Sequence, residues 1–179
     1  MEYYRILQRQ IGRNTIIPNY PTGTEIWKDE QPIFVSGDLK NTKEDIEFLP
    51  FYSSDYLSSI FLLDVKVKEI WTRYQIGGRY RPCVLGNIGK RDTIMPYWFA
   101  IPRLIECIHE NSEYKKNGDI ETLCLDHTKI AGNKVFGVKV WHSIYIIISE
   151  DILEEMIQNQ ITEFNWKKII VSEENYEEN

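Results

Sequence analysis

The sequence has few of the residues that build disulfide frameworks, metal sites or membrane spans. Its three cysteines, at positions 83, 107 and 124, form no CxxC pair, so neither a disulfide scaffold nor a zinc knuckle is indicated. The three histidines form no HExxH or HxH pattern, and we expect no metal and no cofactor. The apolar run IYIII at 144–148 has five residues, whereas a helix needs about 20 to cross a bilayer. Together these absences predict a cytoplasmic protein with no membrane partner.

The composition is that of a globular protein. The chain has 179 residues, of which 42% are hydrophobic and 27% charged, and its net charge is −6. We expect a single domain over residues 1–171, because a chain of this length buries roughly 70% of its unfolded surface. The acidic segment SEENYEEN, at 172–179, has too little apolar surface to fold and is predicted to be a disordered tail.

Charge is distributed unevenly along the chain. Residues 1–64 carry −4, residues 65–103 carry +6 and residues 104–179 carry −8. Neutralisation of these segments by one another in the fold explains the pattern without a function. The alternative is that an acidic surface serves a basic partner.

Apolar periodicity predicts an α+β fold, in which a mostly antiparallel or mixed sheet is covered by a few short helices. The predicted helices cover about 65–75, capped by Asp64, and the segment after Ser149, whose inward stripe is Ile152, Leu153, Met156 and Ile157. Trp71, Trp98, Trp141 and Trp166 lie in periodic segments and are predicted to pack in the core. The predicted strands are 3–8, 32–36, 60–63, 80–85, 94–101, 104–109, 119–125, 134–140, 144–148 and 163–171.

The chain also resembles itself at a shift of 85 residues. Phe61, Leu62 and Leu63 fall on Ile146, Ile147 and Ile148, and Asp64 falls on Ser149. Each copy has the order strand, polar cap, short helix, strand. The sequence therefore predicts two strand–helix–strand units, produced either by duplication or by one common pattern used twice.

Acidic residues cluster on the second predicted helix, at Glu150, Asp151, Glu154 and Glu155. Residues four apart are neighbours on a helix surface, so these like charges repel mildly. A solvated helix face explains them without a function, whereas a docking surface for a basic protein would use them to steer association. A second acidic candidate, Glu44, Asp45 and Glu47, lies in the segment 36–47, which is predicted to be a loop.

The basic centre of the chain offers a different hypothesis. Arg79, Arg81, Lys90 and Arg91 could grip a phosphate in a small enzyme or a nucleotide- or RNA-binding module. The turn GNIGKR at 86–91 lacks the spacing of a Walker loop. It has the GXXG spacing of a KH clamp but joins predicted strands instead of helices. Cys83 lies near the same cations, where a reactive thiolate would be favoured, but its neighbours are typical of a packed strand.

Residues 94–171 resemble the C-terminal part of the bacterial immunity proteins that accompany polymorphic toxins, with immunity families eleven and forty-three the nearest. The similarity is carried by PYWFAIPRLIEC, NSEYKKNG, LCLDHTKIAGNKVFGVK and YIIISEDILEEMIQNQITEFNWKKI. The family pattern has an apolar strand with a polar cap, an amphipathic helix, and a strand of the form Gly-apolar-Phe. Ser149 and Phe164 fit this pattern, while Glu163 stands where the glycine would be.

The resemblance implies a non-enzymatic antidote that binds a cognate toxin domain. Such a protein needs no catalytic group and no cofactor. Its implied partner is a protein, and we do not expect nucleic acid or membrane to be one. The toxin-binding candidates are the two acidic groups, and the oligomeric state stays open.

Overall fold

The computed structural model describes residues 1–21, 26–27, 31–39, 45–53, 60–74, 77–87 and 93–172. The fold is α+β, as predicted. Its helices are α1 (Val65–Tyr74), α2 (His127–Ile130) and α3 (Glu150–Gln158). Its strands are β1 (Tyr3–Gln8), β2 (Ile17–Pro18), β3 (Ile33–Asp38), β4 (Phe51–Ser53), β5 (Phe61–Asp64), β6 (Arg79–Gly86), β7 (Ile94–Ile101), β8 (Glu113–Tyr114), β9 (Ile120–Thr122), β10 (Cys124–Leu125), β11 (Val135–Val140), β12 (Ser143–Ser149) and β13 (Phe164–Val171).

Two mixed sheets form the framework. The five-stranded sheet has the order β10-β13-β1-β12-β11, and the six-stranded sheet has the order β2-β3-β6-β7-β5-β4. Strands β8 and β9 form a separate hairpin. The first strand of the chain therefore lies in the middle of the five-stranded sheet, antiparallel to both of its neighbours.

The two strand–helix–strand units have the same topology. In β5–α1–β6, the two parallel strands are separated by the antiparallel strand β7. In β12–α3–β13, they are separated by β1 in the same way. Outside these strands, β4 and β11 pair antiparallel with β5 and β12, while β3 and β10 pair parallel with β6 and β13.

The 85-residue similarity is thus a repeat of structure. The shift places the start of α1 on the start of α3, and both ends of β6 on the ends of β13. Five strands and a helix recur in one arrangement, which favours duplication over a short common motif. The units differ in one respect: β7 follows β6 along the chain, whereas the equivalent strand of the second unit is β1, from the other end of the chain.

A shared apolar core joins the two units. It contains side chains from both sheets and from α1 and α3, including Ile6, Phe61, Trp71, Ile148 and Met156. The outer face of the six-stranded sheet is covered by residues such as Ile16, Ile26 and Leu49. The outer face of the five-stranded sheet is covered by the segment containing Cys107, Leu123 and Ile130.

The local signals at the first helix are confirmed. The Asp64 carboxylate accepts a 2.7 Å hydrogen bond from the amide of Val67 at the start of α1, as expected of an N-cap. Gly77, shortly after the helix, has φ of +90°, a conformation that glycine adopts at little cost. The helix is thus bounded by the residues that the sequence indicates.

Several predictions from apolar pattern alone are wrong. Residues 104–109 form only isolated bridges, at Leu104 and Ile108, because this segment lies over the outer face of the sheet instead of joining its ladder. Trp141 and Trp166 are 54% and 43% exposed, and Ile157 is 40% exposed. Apolar periodicity identifies a face of an element, but whether another element covers that face depends on the tertiary arrangement.

Candidate functional site

Two of the four acidic residues on α3 are held in ion pairs. Asp151 pairs with Lys134 and accepts a hydrogen bond from the Ser149 hydroxyl. Glu155 pairs with Arg73 of α1 and hydrogen-bonds Tyr74, which raises the pKa of that phenol. These two carboxylates therefore tie α3 to its surroundings and contribute less to an open acidic surface than the sequence suggests.

Glu150 and Glu154 form the open part of the acidic helix. Residues turn by about 100° per position along a helix, so with Ile152, Leu153 and Met156 buried and Glu155 facing α1, these two carboxylates lie on the flank away from α1. Both side chains are exposed. Within the described part of the chain, neither forms an ion pair. They lie next to Ile157 on the same flank.

Tyr4 of β1 lies beside this flank. Its hydroxyl donates a 2.7 Å hydrogen bond to the Glu2 carboxylate. That bond, with smaller contributions from burial and from the charges of Glu2, Glu150 and Glu154, raises the pKa of Tyr4 to about 12. Glu2 also pairs with Lys168 of β13. The phenol therefore lies in an acidic environment formed by three carboxylates from two elements.

Strand β13 extends this surface with exposed apolar side chains. Ile6 pairs with Ile146 on one side and with Trp166 on the other, and opposed residues share a face of a sheet. Helix α3 contacts β12 and β1, which leaves Trp166 and Ile170 of β13 at 43% and 56% exposure on that face. We call this surface the α3–β13 face; it comprises Glu2, Tyr4, Glu150, Glu154, Ile157, Trp166, Lys168 and Ile170.

Sequence reasoning missed the aromatic half of the α3–β13 face. Trp166 and Tyr4 occur in apolar segments and were both assigned to strands. The alternation Trp166, Lys168, Ile170 indicates that these side chains share one face of a strand. No local signal shows that Trp166 and Ile170 of that strand stay exposed.

The two described residues of the second acidic candidate, Asp45 and Glu47, differ in exposure and in contacts. Asp45 is exposed. Glu47 is half-buried, accepts a hydrogen bond from Thr15 and pairs with Arg9, and these contacts, the Thr15 bond first, lower its pKa despite desolvation. The residues before β4 that cover the outer face of the six-stranded sheet, such as Ile16 and Ile26, are called the N-terminal cover. Glu47 holds this cover in place and does not face a partner. Glu44 lies outside the described residues.

The basic candidate does not assemble as a phosphate grip. Arg81 is 5% exposed, and its guanidinium donates to the carbonyls of Ile26 and Gln31, the latter at 2.7 Å from Nη2. Arg79 is exposed, with its guanidinium 4.7 Å from the ring centre of Trp27. Lys90 and Arg91 lie outside the described residues. Arg81 therefore anchors the cover of the six-stranded sheet, and this weakens the phosphate hypothesis at 79–91.

The cysteines are buried and free. Burial raises the pKa of the Cys83 thiol to about 12, the opposite of what a nucleophilic thiolate requires. In the described ranges, no three His, Cys, Asp or Glu side chains are grouped as metal ligands.

No family model matches this chain, and a search of curated proteins finds no match. None of the helices in the described part of the chain combines the length and apolar character needed to cross a bilayer.

Proposed function

We propose that the protein is a cytoplasmic, non-enzymatic immunity protein that binds and neutralises a cognate bacterial toxin domain. The observation that supports this most is the α3–β13 face. Glu150 and Glu154, which form no ion pair with any described residue, are exposed on the same side of the sheet as the exposed side chains of Trp166 and Ile170. Interfaces draw most of their binding energy from aromatic and apolar anchors of this kind.

The chemistry of the face indicates a basic partner. Glu150 and Glu154 would attract it over distances of about a Debye length, roughly 8 Å at physiological salt. Trp166, Tyr4 and Ile157 would then be buried in the contact. A stable interface buries about 1,600 Å² in total. The α3–β13 face would form the centre of such an interface, and neighbouring polar residues would form its rim.

Neutralisation by this route requires no reaction on the immunity protein. Occupation of a basic active site or substrate path on the toxin is sufficient. This agrees with the raised pKa of Cys83, the cysteine that the sequence places near cations, because a thiol that stays protonated is not a nucleophile.

A cell-based experiment tests the proposal. The C-terminal domain of the protein encoded immediately upstream is expressed with and without this chain, and we expect growth to be rescued when both are present. Reversal of charge in E150K/E154K should abolish rescue, whereas E110K/E113K, which changes two exposed acids elsewhere, should preserve it. Absence of rescue by the wild-type chain, together with failure to co-purify, would exclude that protein as the partner and remove the support for the proposal.

The alternative function is nucleotide or RNA binding through residues 79–91. It predicts micromolar affinity for phosphate esters or RNA with a steep dependence on salt. Charge reversal at Lys90 and Arg91 would abolish that binding. Such a result would replace the immunity proposal, and the inward orientation of Arg81 leads us to expect the opposite.

A further inference from the structure

A second group of charges lies on the outer face of the five-stranded sheet, opposite the α3–β13 face. Arg5 of β1 is directly opposite Lys167 of β13. Like charges directly opposite one another on a sheet are destabilising. Two cations in this arrangement therefore need a compensating interaction.

The compensation within the described residues is incomplete. The Arg5 guanidinium stacks on Tyr145, with its central carbon 3.2 Å from the ring centre. No described carboxylate lies within 4.0 Å of the Arg5 or Lys167 nitrogen atoms. Arg5 is half-buried, and an unpaired charge is costly to remove from water.

These side chains line a cavity of about 140 Å³. The rest of its lining consists of the polar residues Glu121, Thr122 and Lys168 and the apolar residues Ile120, Leu123, Ile169 and Ile170. Arg5 also borders a second cavity of about 190 Å³ on its other side, with Gln8, Ser53 and Ser143 in the lining. Arg5 therefore borders two small cavities, and its charge has no acidic partner among the described residues. Arg5 covers the ring face of Tyr145, so the Tyr145 hydroxyl at the edge of the ring can still donate its hydrogen to a ligand.

We propose that the cavity between Arg5, Tyr145 and Lys167 binds a phosphate-type oxyanion. Guanidinium groups match the paired oxygens of phosphate through two parallel N–H donors. Lys167 supplies a second positive charge across the ladder, and Tyr145 a neutral donor. The three binding groups belong neither to the α3–β13 face, which shares only Lys168 and Ile170 with the cavity lining, nor to residues 79–91. The proposal therefore does not depend on the toxin proposal or on its alternative.

The charge of Glu121 distinguishes the proposal from a purely structural role, because the two predict different effects of its removal on oxyanion affinity. Its exposed carboxylate lines the same cavity and opposes an incoming anion. Removal of this charge should therefore tighten oxyanion binding. If Glu121 instead served as the counter-charge that stabilises Arg5, its removal would lower stability and leave oxyanion affinity unchanged.

The experiment measures binding of inorganic phosphate to the full chain, by titration calorimetry and by backbone amide shifts, in a buffer of low ionic strength without other oxyanions. We expect wild-type binding with shifts at residues 5, 145 and 167. K167Q, at an exposed position, and R5Q should each weaken it by roughly tenfold, which corresponds to about 1.4 kcal/mol. E121Q should tighten it several-fold.

The matched control is K139Q, which removes the same charge from an exposed residue of β11, at the edge of the same sheet and outside the lining of the cavity. Its affinity should stay within about twofold of wild type, since it lies outside the cavity. Thermal melting shows whether R5Q remains folded. If R5Q is unfolded, K167Q serves as the test variant. Equal losses in K167Q and K139Q, or no binding by wild type at millimolar phosphate, would overturn the proposal.

Discussion

The N-terminal strand should be essential to the second structural unit. Deletion of residues 1–8 removes β1, which pairs at four positions with β12 and at six with β13. It also removes the side chains of Tyr3 and Ile6, each 4% exposed. Burial of a large apolar side chain stabilises a fold by about 1.5–3 kcal/mol, so these two residues alone account for about 3–6 kcal/mol, a large share of the roughly 5–15 kcal/mol of a typical domain.

The assay is urea unfolding followed by circular dichroism and tryptophan fluorescence, with hydrogen exchange at β12 and β13. We expect the free energy of unfolding to fall by at least about 3 kcal/mol and the amides of both strands to exchange faster. A peptide of residues 1–9 added in trans should restore protection, and a scrambled peptide should not. A truncated chain with unchanged stability and protected β12 and β13 amides would refute the assignment of β1 as the central strand.

Two further predictions concern the contacts beneath the surface. R81M should destabilise the fold by about 2–4 kcal/mol, because it leaves the carbonyls of Ile26 and Gln31 without their charged donor, as measured by urea unfolding; a neutral effect would contradict the anchoring role. The pKa of Glu47 is lowered on folding from its ordinary 4.5, so its stabilising effect is present above that pH and is lost as pH falls through the lower folded value. E47Q should therefore reduce the dependence of stability on pH below about 4.5. If the free energy of unfolding falls equally in E47Q and in wild type below that pH, the result would argue against the Thr15 and Arg9 contacts.

Signals from neighbouring residues in the sequence were sufficient to predict α1, α3 and part of the candidate site. Asp64 and the spacing of apolar residues locate the starts of α1 and α3, because caps and helical periodicity depend on neighbours in sequence. Ser149 stands at the N-cap position of α3, but its hydroxyl donates to Asp151 and forms no cap hydrogen bond. The acidic helix could be identified in the same way. The position of β1 between β12 and β13 could not, because it brings together residues from opposite ends of the chain.

The remaining errors have one physical origin. Trp166 and Ile157 have the apolar character of core residues, but α3 packs mainly on β12 and β1, and Trp166 and Ile157 stay partly exposed. Arg81 and Glu47 have the charge of surface residues, but the N-terminal cover provides carbonyl and hydroxyl partners for them. Which partner meets a given face is a property of tertiary packing, and single-sequence periodicity carries no information about it.

The affinity for the toxin domain tests the central claim most directly. It is measured by titration calorimetry between this chain and the C-terminal domain of the adjacent gene's product, at two salt concentrations, for wild type, E150K/E154K and E110K/E113K. We predict tight wild-type binding that weakens with salt, a loss of about a hundredfold in E150K/E154K, equivalent to about 2.7 kcal/mol, and no change in E110K/E113K. Equal affinities for all three proteins would contradict the assignment of the α3–β13 face as the toxin-binding surface.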